Sequence, residues 1–472
     1  MKDFFTSIRN IFAKAFGKPK KGGPNTTDTS RKVPSVIKGG GQVVQFKKLE
    51  SAHIQHFRCF DNLVVSFDPN LTVFVGVNGS GKTSLLDSIS IFQKIISRIM
   101  LIKSRTLQLE YFDINLSDIK KGGISCRFTY DFSTSIKSDL FDLHYSINDI
   151  DKDSRIKNSI DIEDKIFDYQ MLSNLIIVYY TSKRIINDYQ RQVETQGEKR
   201  LAYINAFNSQ IDFSSTLSWF IEKSSEEARE AVNRGDLNYR IPELSAVRDA
   251  VSLALGDYHT PYVINTPPEL CINRKEDAPR DKSKALTIEQ LSDGYRTMLA
   301  LVMDLARRMA VANADKQWPA GESVLHSPGI VLIDEVELHL HPSWQQKVLP
   351  SLMQIFPNVQ FIVTTHSPQV ITSIAARHIR ILRDNRVFSF SDETQGAEAN
   401  RVLEDVFQVS KRPDITITKK LEEYTRLVYD EKWDSEDAEN LRKELVQHYG
   451  SNEPKLLELA LHVENSKWER GL

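Results

Sequence analysis

Gly76-Val77-Asn78-Gly79-Ser80-Gly81-Lys82-Thr83 follows the apolar run Leu71-Thr-Val-Phe-Val75 and leads into Ser84-Leu-Leu-Asp-Ser-Ile. The order is strand, glycine-rich turn, Lys-Thr, helix: the full context of a phosphate-binding loop, not of a loop that only turns the chain. Backbone N–H groups from Asn78 through Gly79, Ser80 and Gly81 to Ser84, with the positive end of the helix, favour a phosphate chain there. Lys82 is expected to reach the β- and γ-phosphates of ATP, and the Thr83 hydroxyl to hold Mg²⁺. This predicts an α/β fold built around a nucleotide.

Gly329-Ile-Val-Leu-Ile-Asp334-Glu335 is a short apolar run ending in two carboxylates. A continuous β-branched run bounded by Gly predicts a strand buried on both faces, hence a parallel sheet. Asp334 would complete the Mg²⁺ shell opposite Thr83, and Glu335 would polarise the water attacking the γ-phosphate. Val359-Gln-Phe-Ile-Val-Thr-Thr365 predicts a further buried strand, with His366-Ser367-Pro368 at its end. A polar residue at the carboxyl end of a central α/β strand faces the ligand crevice. His366 is therefore a candidate for sensing the γ-phosphate through a hydrogen bond.

Leu291-Ser292-Asp293-Gly294-Tyr295 precedes an apolar-periodic helix predicted over Arg296 to about Ala312. Ser292 suits an N-cap, and Gly294 lets the backbone approach a ligand closely. With this segment the chain resembles the ATP-binding-cassette ATPases, whose signature reads Leu-Ser-Gly-Gly-Gln. Asp293 and Tyr295 depart from it as the soluble RecF/SMC-like branch does. The resemblance implies a head-to-tail dimer, or a higher even oligomer, with two ATP molecules between subunits. Each site would join Lys82, Asp334 and Glu335 of one subunit to Ser292 and Gly294 of the partner subunit.

The resemblance also gives Arg58 a role. In RecF/SMC-like proteins the Arg of a segment such as His56-Phe57-Arg58-Cys59-Phe60 approaches the phosphates; on residues alone, Arg58 also reads as a surface arginine beside two buried Phe. Glu337-Leu-His339-Leu-His341-Pro342 carries a His-x-His pair that reads as half a metal site. Its position instead matches the dimer-interface loop of the resembled family. The glutamine that senses Mg²⁺ in many such ATPases is not placed, with Gln108 and the Ser117–Gly123 segment both open.

The 472 residues carry a formal charge of −2 and a pI near 6.6, without the basic footprint of a dedicated DNA-binding protein, although a local groove is compatible with balanced totals. Cys59, Cys126 and Cys271 have no paired spacing, which argues against a disulfide framework or a zinc site and fits a reducing cytoplasm. No run of about 18 apolar residues is present, so no membrane-spanning segment is expected.

Residues 1–40 differ from the rest, with nine Lys/Arg against two Asp/Glu, a local +7. Phe4, Phe5, Ile8, Ile11, Phe12, Ala15 and Phe16 share a face at helical spacing, and a Gly/Pro/Ser/Lys-rich linker follows. Docking to a protein partner, contact with nucleic acid and an interfacial membrane helix all stay open for this leader. Between the phosphate loop and Leu291 there is no heptad repeat, which excludes the long coiled coil of an SMC protein. Strand-like runs at Ile124–Phe132, Leu140–Tyr145 and Asn174–Tyr180, then helices over Ser214 to about Ala231 and Pro242–Leu255, suggest a compact lid or arm. Three helices are predicted in the tail, at about 416–431, 435–449 and 454–467. Leu421, Tyr424 and Val428 share one face, and Leu441, Leu445 and His448 another. Residues 414–472 hold nine basic and fourteen acidic residues, a local −5, and read either as a cap on the core or as a platform for a partner.

Ile177-Val-Tyr-Tyr-Thr-Ser-Lys-Arg184, Leu291-Ser-Asp-Gly-Tyr with Asp304-Leu-Ala-Arg-Arg308, Val331–Pro342, Phe361–Val370 and Arg401-Val-Leu-Glu-Asp-Val-Phe together resemble the PtuA ATPases of Septu and retron-associated anti-phage systems. The resemblance covers about residues 46–470. It implies a small HNH nuclease partner of the PtuB kind and, in retron versions, a reverse transcriptase with its RNA–DNA product. It also implies a sensor and regulator whose partner cuts nucleic acid. A RecF-like repair ATPase without a nuclease partner is the alternative, and a scaffold in which ATP is structural is a third reading. The tail lacks the strand-borne acidic ligands of an OLD-type nuclease. The expected organisation is a leader over 1–40, the first part of a RecF/SMC-like ABC-type head over 41–110, an inserted α/β lid or arm over 111–285, the rest of the head over 286–395 and a helical partner-binding segment over 396–472.

Overall fold

The structure, a computed structural model, describes residues 46–101, 118–120, 125–134, 138–150, 156–163, 175–182, 199–203, 205–207, 213–265 and 268–469. The expected leader helix, Gln108 and residues 183–184 lie outside the described residues. β1 (Phe46–Phe57) and β2 (Phe60–Ser66) form an antiparallel pair closed at Phe57 and Phe60. β3 (Leu71–Val75), buried at every position, delivers the glycine-rich loop to α1 (Lys82–Leu101). β4 (Ser125–Thr134), β5 (Ser138–Ile150) and β6 (Ile156–Glu163) extend the first sheet to the antiparallel order β2-β1-β4-β5-β6.

β7 (Ile176–Tyr180) joins a different sheet. Helices α2 (Phe213–Arg234) and α3 (Pro242–Ala254) follow, then a small antiparallel sheet of β8 (Tyr262–Asn265), β9 (Pro268–Ile272) and β10 (Leu286–Thr287). α4 (Asp293–Ala312) precedes β11 (Gly329–Ile333), which is followed by α5 (Pro342–Gln345), α6 (Val348–Ile355) and β12 (Val359–Thr364). α7 (Pro368–Ile371), the hairpin of β13 (Ile379–Arg383) and β14 (Arg386–Ser389), and α8 (Ala399–Asp405) come next.

The central sheet has the order β14-β13-β3-β12-β11-β7, parallel from β13 to β7, with β14 antiparallel at its edge. The strand period of two sorts its apolar side chains onto two faces. Val73, Val178, Tyr180, Ile333 and Val363 pack with Met298, Val302, Leu305 and Met309 of α4. Phe74, Ile177, Tyr179, Leu332 and Ile362 pack with Leu85, Leu86, Ile89 and Phe92 of α1 and with the antiparallel sheet. Each such side chain taken from water contributes roughly 1.5–3 kcal/mol, so the continuous apolar runs are what hold the layers together. Gln360 of β12 is a buried polar exception. Its amide accepts from the Leu49 N–H at 2.8 Å and donates to the carbonyls of Leu49 at 2.8 Å and Asp68 at 2.9 Å. The parallel strands bring Val75, Tyr180, Ile333 and Thr364 to a common carboxyl edge, where α/β folds place their ligands.

Three details differ from the expectation. β4 and β7, from within the span expected to be an insertion, are members of the head's own sheets, because β4 pairs with β1 and β7 with β11. α4 begins at Asp293, not at Arg296; Ser292 occupies the N-cap position but its hydroxyl makes no capping bond. In the tail, α9 (Thr416–Tyr429), α10 (Glu436–Tyr449) and α11 (Pro454–Glu469) pack around their own core of Leu421, Tyr424, Val428, Ala438, Leu445, Leu456 and Leu459. His448 is exposed there, and the inward face of α10 is Ala438, Leu441 and Leu445. Ser435 caps α10 through the Ala438 N–H, and Gly450 ends it at φ +85°. None of the described helices is long and apolar enough to cross a membrane.

Candidate functional site

The glycine-rich loop leaves β3 through positions only glycine suits. Gly79 and Gly81 have φ +81° and +99°. A Cβ on Gly81 would lie 2.7 Å from both Cys59 Sγ and the Phe60 ring. At Gly76 it would collide with the Leu382 carbonyl oxygen of β13. The loop therefore rests directly on the β1–β2 turn and on its neighbouring strand. Lys82, almost fully buried, donates from Nζ to the carbonyls of Gly76 at 2.8 Å and Val77 at 3.1 Å. Burial lowers its pKa, while the carboxylates of Asp334, Glu335 and Glu337 pull the other way.

Thr83 Oγ1 donates to Asp334 Oδ2 at 2.9 Å, joining the first turn of α1 to the end of β11. Asp334 is fully buried, and its other oxygen accepts from Thr364 Oγ1 at 2.6 Å. The same Thr364 oxygen accepts the Glu335 N–H at 2.8 Å, so one hydroxyl orients both acidic residues. Glu335 has φ +49°, a sparsely populated conformation for a residue with a Cβ, of the kind that clusters at functional sites. Glu337 receives the Thr365 hydroxyl at 2.7 Å and the His366 N–H at 2.7 Å, which fixes the turn after β12. Burial lowers the His366 pKa, followed by the Lys82 cation, with Glu337, Glu335 and Asp334 opposing. Lys82, Thr83, Asp334, Glu335 and His366 thus share one electrostatic site at the carboxyl edge of the central sheet.

Arg58 does not stand free beside this loop. Its Nε meets Asp118 Oδ1 at 2.9 Å, its Nη1 pairs with Asp87 of α1, and its backbone has φ +49°. Burial works against its charge, but the two carboxylates outweigh that and raise its pKa. Ser292 is exposed, and among the described residues no hydrogen bond joins Ser292 or Gly294 to the loop or to the acidic pair. Gly294 is buried, and a Cβ there would approach Trp344 to 3.4 Å. Tyr295 packs edge-on against Trp344 and Tyr258 and donates to Asp257 at 3.1 Å. His341 caps α5, accepting the Ser343 N–H at 3.3 Å.

Sequence reading missed Thr364 and assigned no role to Glu337. The polar step Thr364-Thr365 after an apolar run was the available signal for the first. Asp87 and Asp118, which hold Arg58, carried none. The donor set suits a magnesium nucleotide. Hard oxygens from Thr83 and Asp334 adjoin a cradle of N–H groups at a helix start, and the shielded Ser80 hydroxyl has no hydrogen-bond partner among the described residues.

Residues 71–372, from β3 to the helix after His366, match the family described as "AAA domain, putative AbiEii toxin, Type IV TA system". The chain belongs to this AAA family. As a member it is an ATPase with a mixed α/β P-loop head, and its relatives include retron ATPases and Septu PtuA proteins. "Retron Ec83 probable ATPase" from Escherichia coli is 30% identical over 91% of this chain and 88% of its own length. "Septu protein PtuA" from Bacillus thuringiensis is 28% identical over 38% of this chain and 42% of its own length. Among solved structures, the SMC head domain from Thermotoga maritima aligns with a TM-score of 0.41 and 13% identity, covering 73% of this chain and 100% of that chain.

Proposed function

We propose that this ATPase is the sensor and regulator of an anti-phage defence complex, closing head-to-tail with a second copy over two ATP molecules and thereby controlling an associated HNH nuclease. The observation that carries the reading is the convergence of Lys82, Thr83, Asp334, Glu335 and His366 at one sheet edge, in a chain related to a retron ATPase over most of its length. Bound Mg²⁺ and ATP would supply a γ-phosphate activated toward water.

The chain's own residues then divide the work. The N–H groups of Asn78, Gly79, Ser80, Gly81 and Ser84 would cradle the phosphates, and Lys82, which donates to the Gly76 and Val77 carbonyls, would turn to phosphate oxygens. Thr83 and Asp334 would hold the metal, and the Glu335 carboxylate would take the proton of the attacking water. His366, kept neutral by its surroundings, offers a hydrogen bond to the γ-phosphate. Arg58, steadied by Asp87 and Asp118, would approach the phosphates from the β1–β2 turn. Ser292 and Gly294 present the start of α4 to the nucleotide held by the partner subunit. The inserted arm and tail helices would pass closure on to the nuclease and to a retron reverse transcriptase with its RNA–DNA product, in the cytoplasm where phage DNA arrives.

The test is affinity purification of Glu335→Gln from the native host in MgATP, with Lys82→Ala as the control. Glu335→Gln should bind ATP yet lose about 10²–10⁴ in turnover, and retain a stoichiometric small HNH protein. Lys82→Ala should lose nucleotide binding. Undiminished turnover by Glu335→Gln would overturn the assignment of the base. Recovery of the ATPase alone, or with chromosomal DNA only, would overturn the defence reading.

A further inference from the structure

Two adjacent tyrosines end β7, and strand alternation sends them to opposite faces of the central sheet. Tyr179 donates to Asp87 Oδ1 at 3.0 Å; Asp87 lies on α1, one turn beyond Thr83, and also receives Arg58. Tyr180 donates to Asp304 Oδ2 at 2.8 Å on the other face, in the middle of α4. The Tyr180 carbonyl accepts the N–H of Asp334 at 2.8 Å. Two consecutive residues therefore touch the helix of the phosphate loop, the acidic end of β11 and α4, the helix that follows Ser292.

The α4 end of this junction is firmly built. Asp304 is fully buried and also binds Arg308 Nε at 2.7 Å, Arg307 Nη2 at 3.3 Å and Thr216 Oγ1 at 3.1 Å. Arg308 reaches on to the Ala202 carbonyl at 2.7 Å, and Arg307 Nε to Thr216 at 3.1 Å. Charged hydrogen bonds without competing water are strong and directional, so α4 has little freedom to rotate independently of β7.

We infer that Tyr179 and Tyr180 are positioning residues that couple the two ATP sites of a closed pair: Tyr179 sets the phosphate-loop helix, and Tyr180 registers the Ser292 helix against Asp334. The inference rests on the head-to-tail reading above, in which the phosphate loop serves a subunit's own nucleotide and Ser292 that of the partner subunit. Occupancy of one site then fixes, through a single strand end, the helix offered to the other.

The experiment uses the full chain carrying Tyr179→Phe or Tyr180→Phe, each lacking one hydroxyl. Asp304 keeps Arg307, Arg308 and Thr216 in Tyr180→Phe, so the core stays satisfied. Readouts are KM and kcat for ATP, thermal melting, and ATP-dependent dimerisation in a Glu335→Gln background by analytical ultracentrifugation. Tyr180→Phe should lower kcat about ten- to a hundredfold and weaken the ATP-induced dimer, with KM within about twofold, as expected when a reacting geometry is displaced by about an ångström. Tyr179→Phe should instead raise KM with kcat within about twofold. Tyr180→Phe with wild-type kcat, or both variants shifting kcat and KM together in step with their melting temperatures, would overturn the coupling and leave a structural role only. Failure of Glu335→Gln itself to dimerise with ATP would overturn the head-to-tail reading, and this inference with it.

Discussion

Asp304→Asn removes one charge at a place water does not reach. Four donors converge on that carboxylate, the Tyr180 hydroxyl and Arg308 on one oxygen, the Thr216 hydroxyl and Arg307 on the other. An Asn amide must turn its NH₂ toward one of these pairs. A hydroxyl can rotate to accept it, but a guanidinium N–H cannot, so one N–H pair stays opposed in either orientation. Two buried guanidiniums also lose their counter-charge. Removing one partner from a buried ion pair costs about 3–5 kcal/mol, a large share of the roughly 5–15 kcal/mol that holds a folded protein.

The pH dependence has a definite sign. Burial pushes the Asp304 carboxyl upward, but Arg308 and Arg307 outweigh it, leaving the folded pKa below the ordinary 3.8. Its stabilisation is present above 3.8 and lost as pH falls through the folded value. Urea unfolding of the wild type and Asp304→Asn should show a gap of about 3–5 kcal/mol near neutral pH that narrows on acidification below 3.8. A gap under about 1 kcal/mol, or one indifferent to acid, would refute the reasoning, since surface charges shift stability by no more than that.

Two further outcomes are expected. Gly81→Ala and Gly79→Ala both force a residue with a Cβ into positive φ, but only Gly81 faces atoms at 2.7 Å, whereas Gly79 has nothing within 4 Å. Melting of the nucleotide-free protein should therefore fall far more for Gly81→Ala; equal losses would show that backbone strain alone governs the loop. His366 should titrate below 6.5 by NMR, because folding favours its neutral form, and stability should decrease as pH drops from 6.5 toward the folded value. A midpoint at or above 6.5 would remove the argument that this imidazole is neutral when it meets phosphate.

Much of the head was legible because its signals are local. β3, β11 and β12 are continuous apolar runs, and each ends in the polar residues that form the site. The tail helices were legible for the same reason, since Leu421, Tyr424 and Val428 recur at helical spacing and pack together. His448 shares the spacing of Leu441 and Leu445 yet is exposed, because spacing fixes a helix face but not how far its burial extends. Pairings between distant residues were not legible: Arg58 with Asp118, β4 against β1, and β7 against β11 are set by tertiary packing. The start of α4 was placed late because Asp293 and Gly294 are poor helix formers that nonetheless suit a first turn.

Gln360 bears on how such a sheet is assembled. Its parallel strands come from segments far apart in the chain, and β3, β11 and β12 are apolar on both faces, so sliding one past its neighbour by a single residue would still bury oil against oil. Hydrophobicity alone is a poor judge of alignment there. One amide that finds the Leu49 and Asp68 backbone in a single alignment acts as an indexing pin: a misthreaded β12 would strand an unsatisfied polar group in the core, a cost that the native register alone avoids.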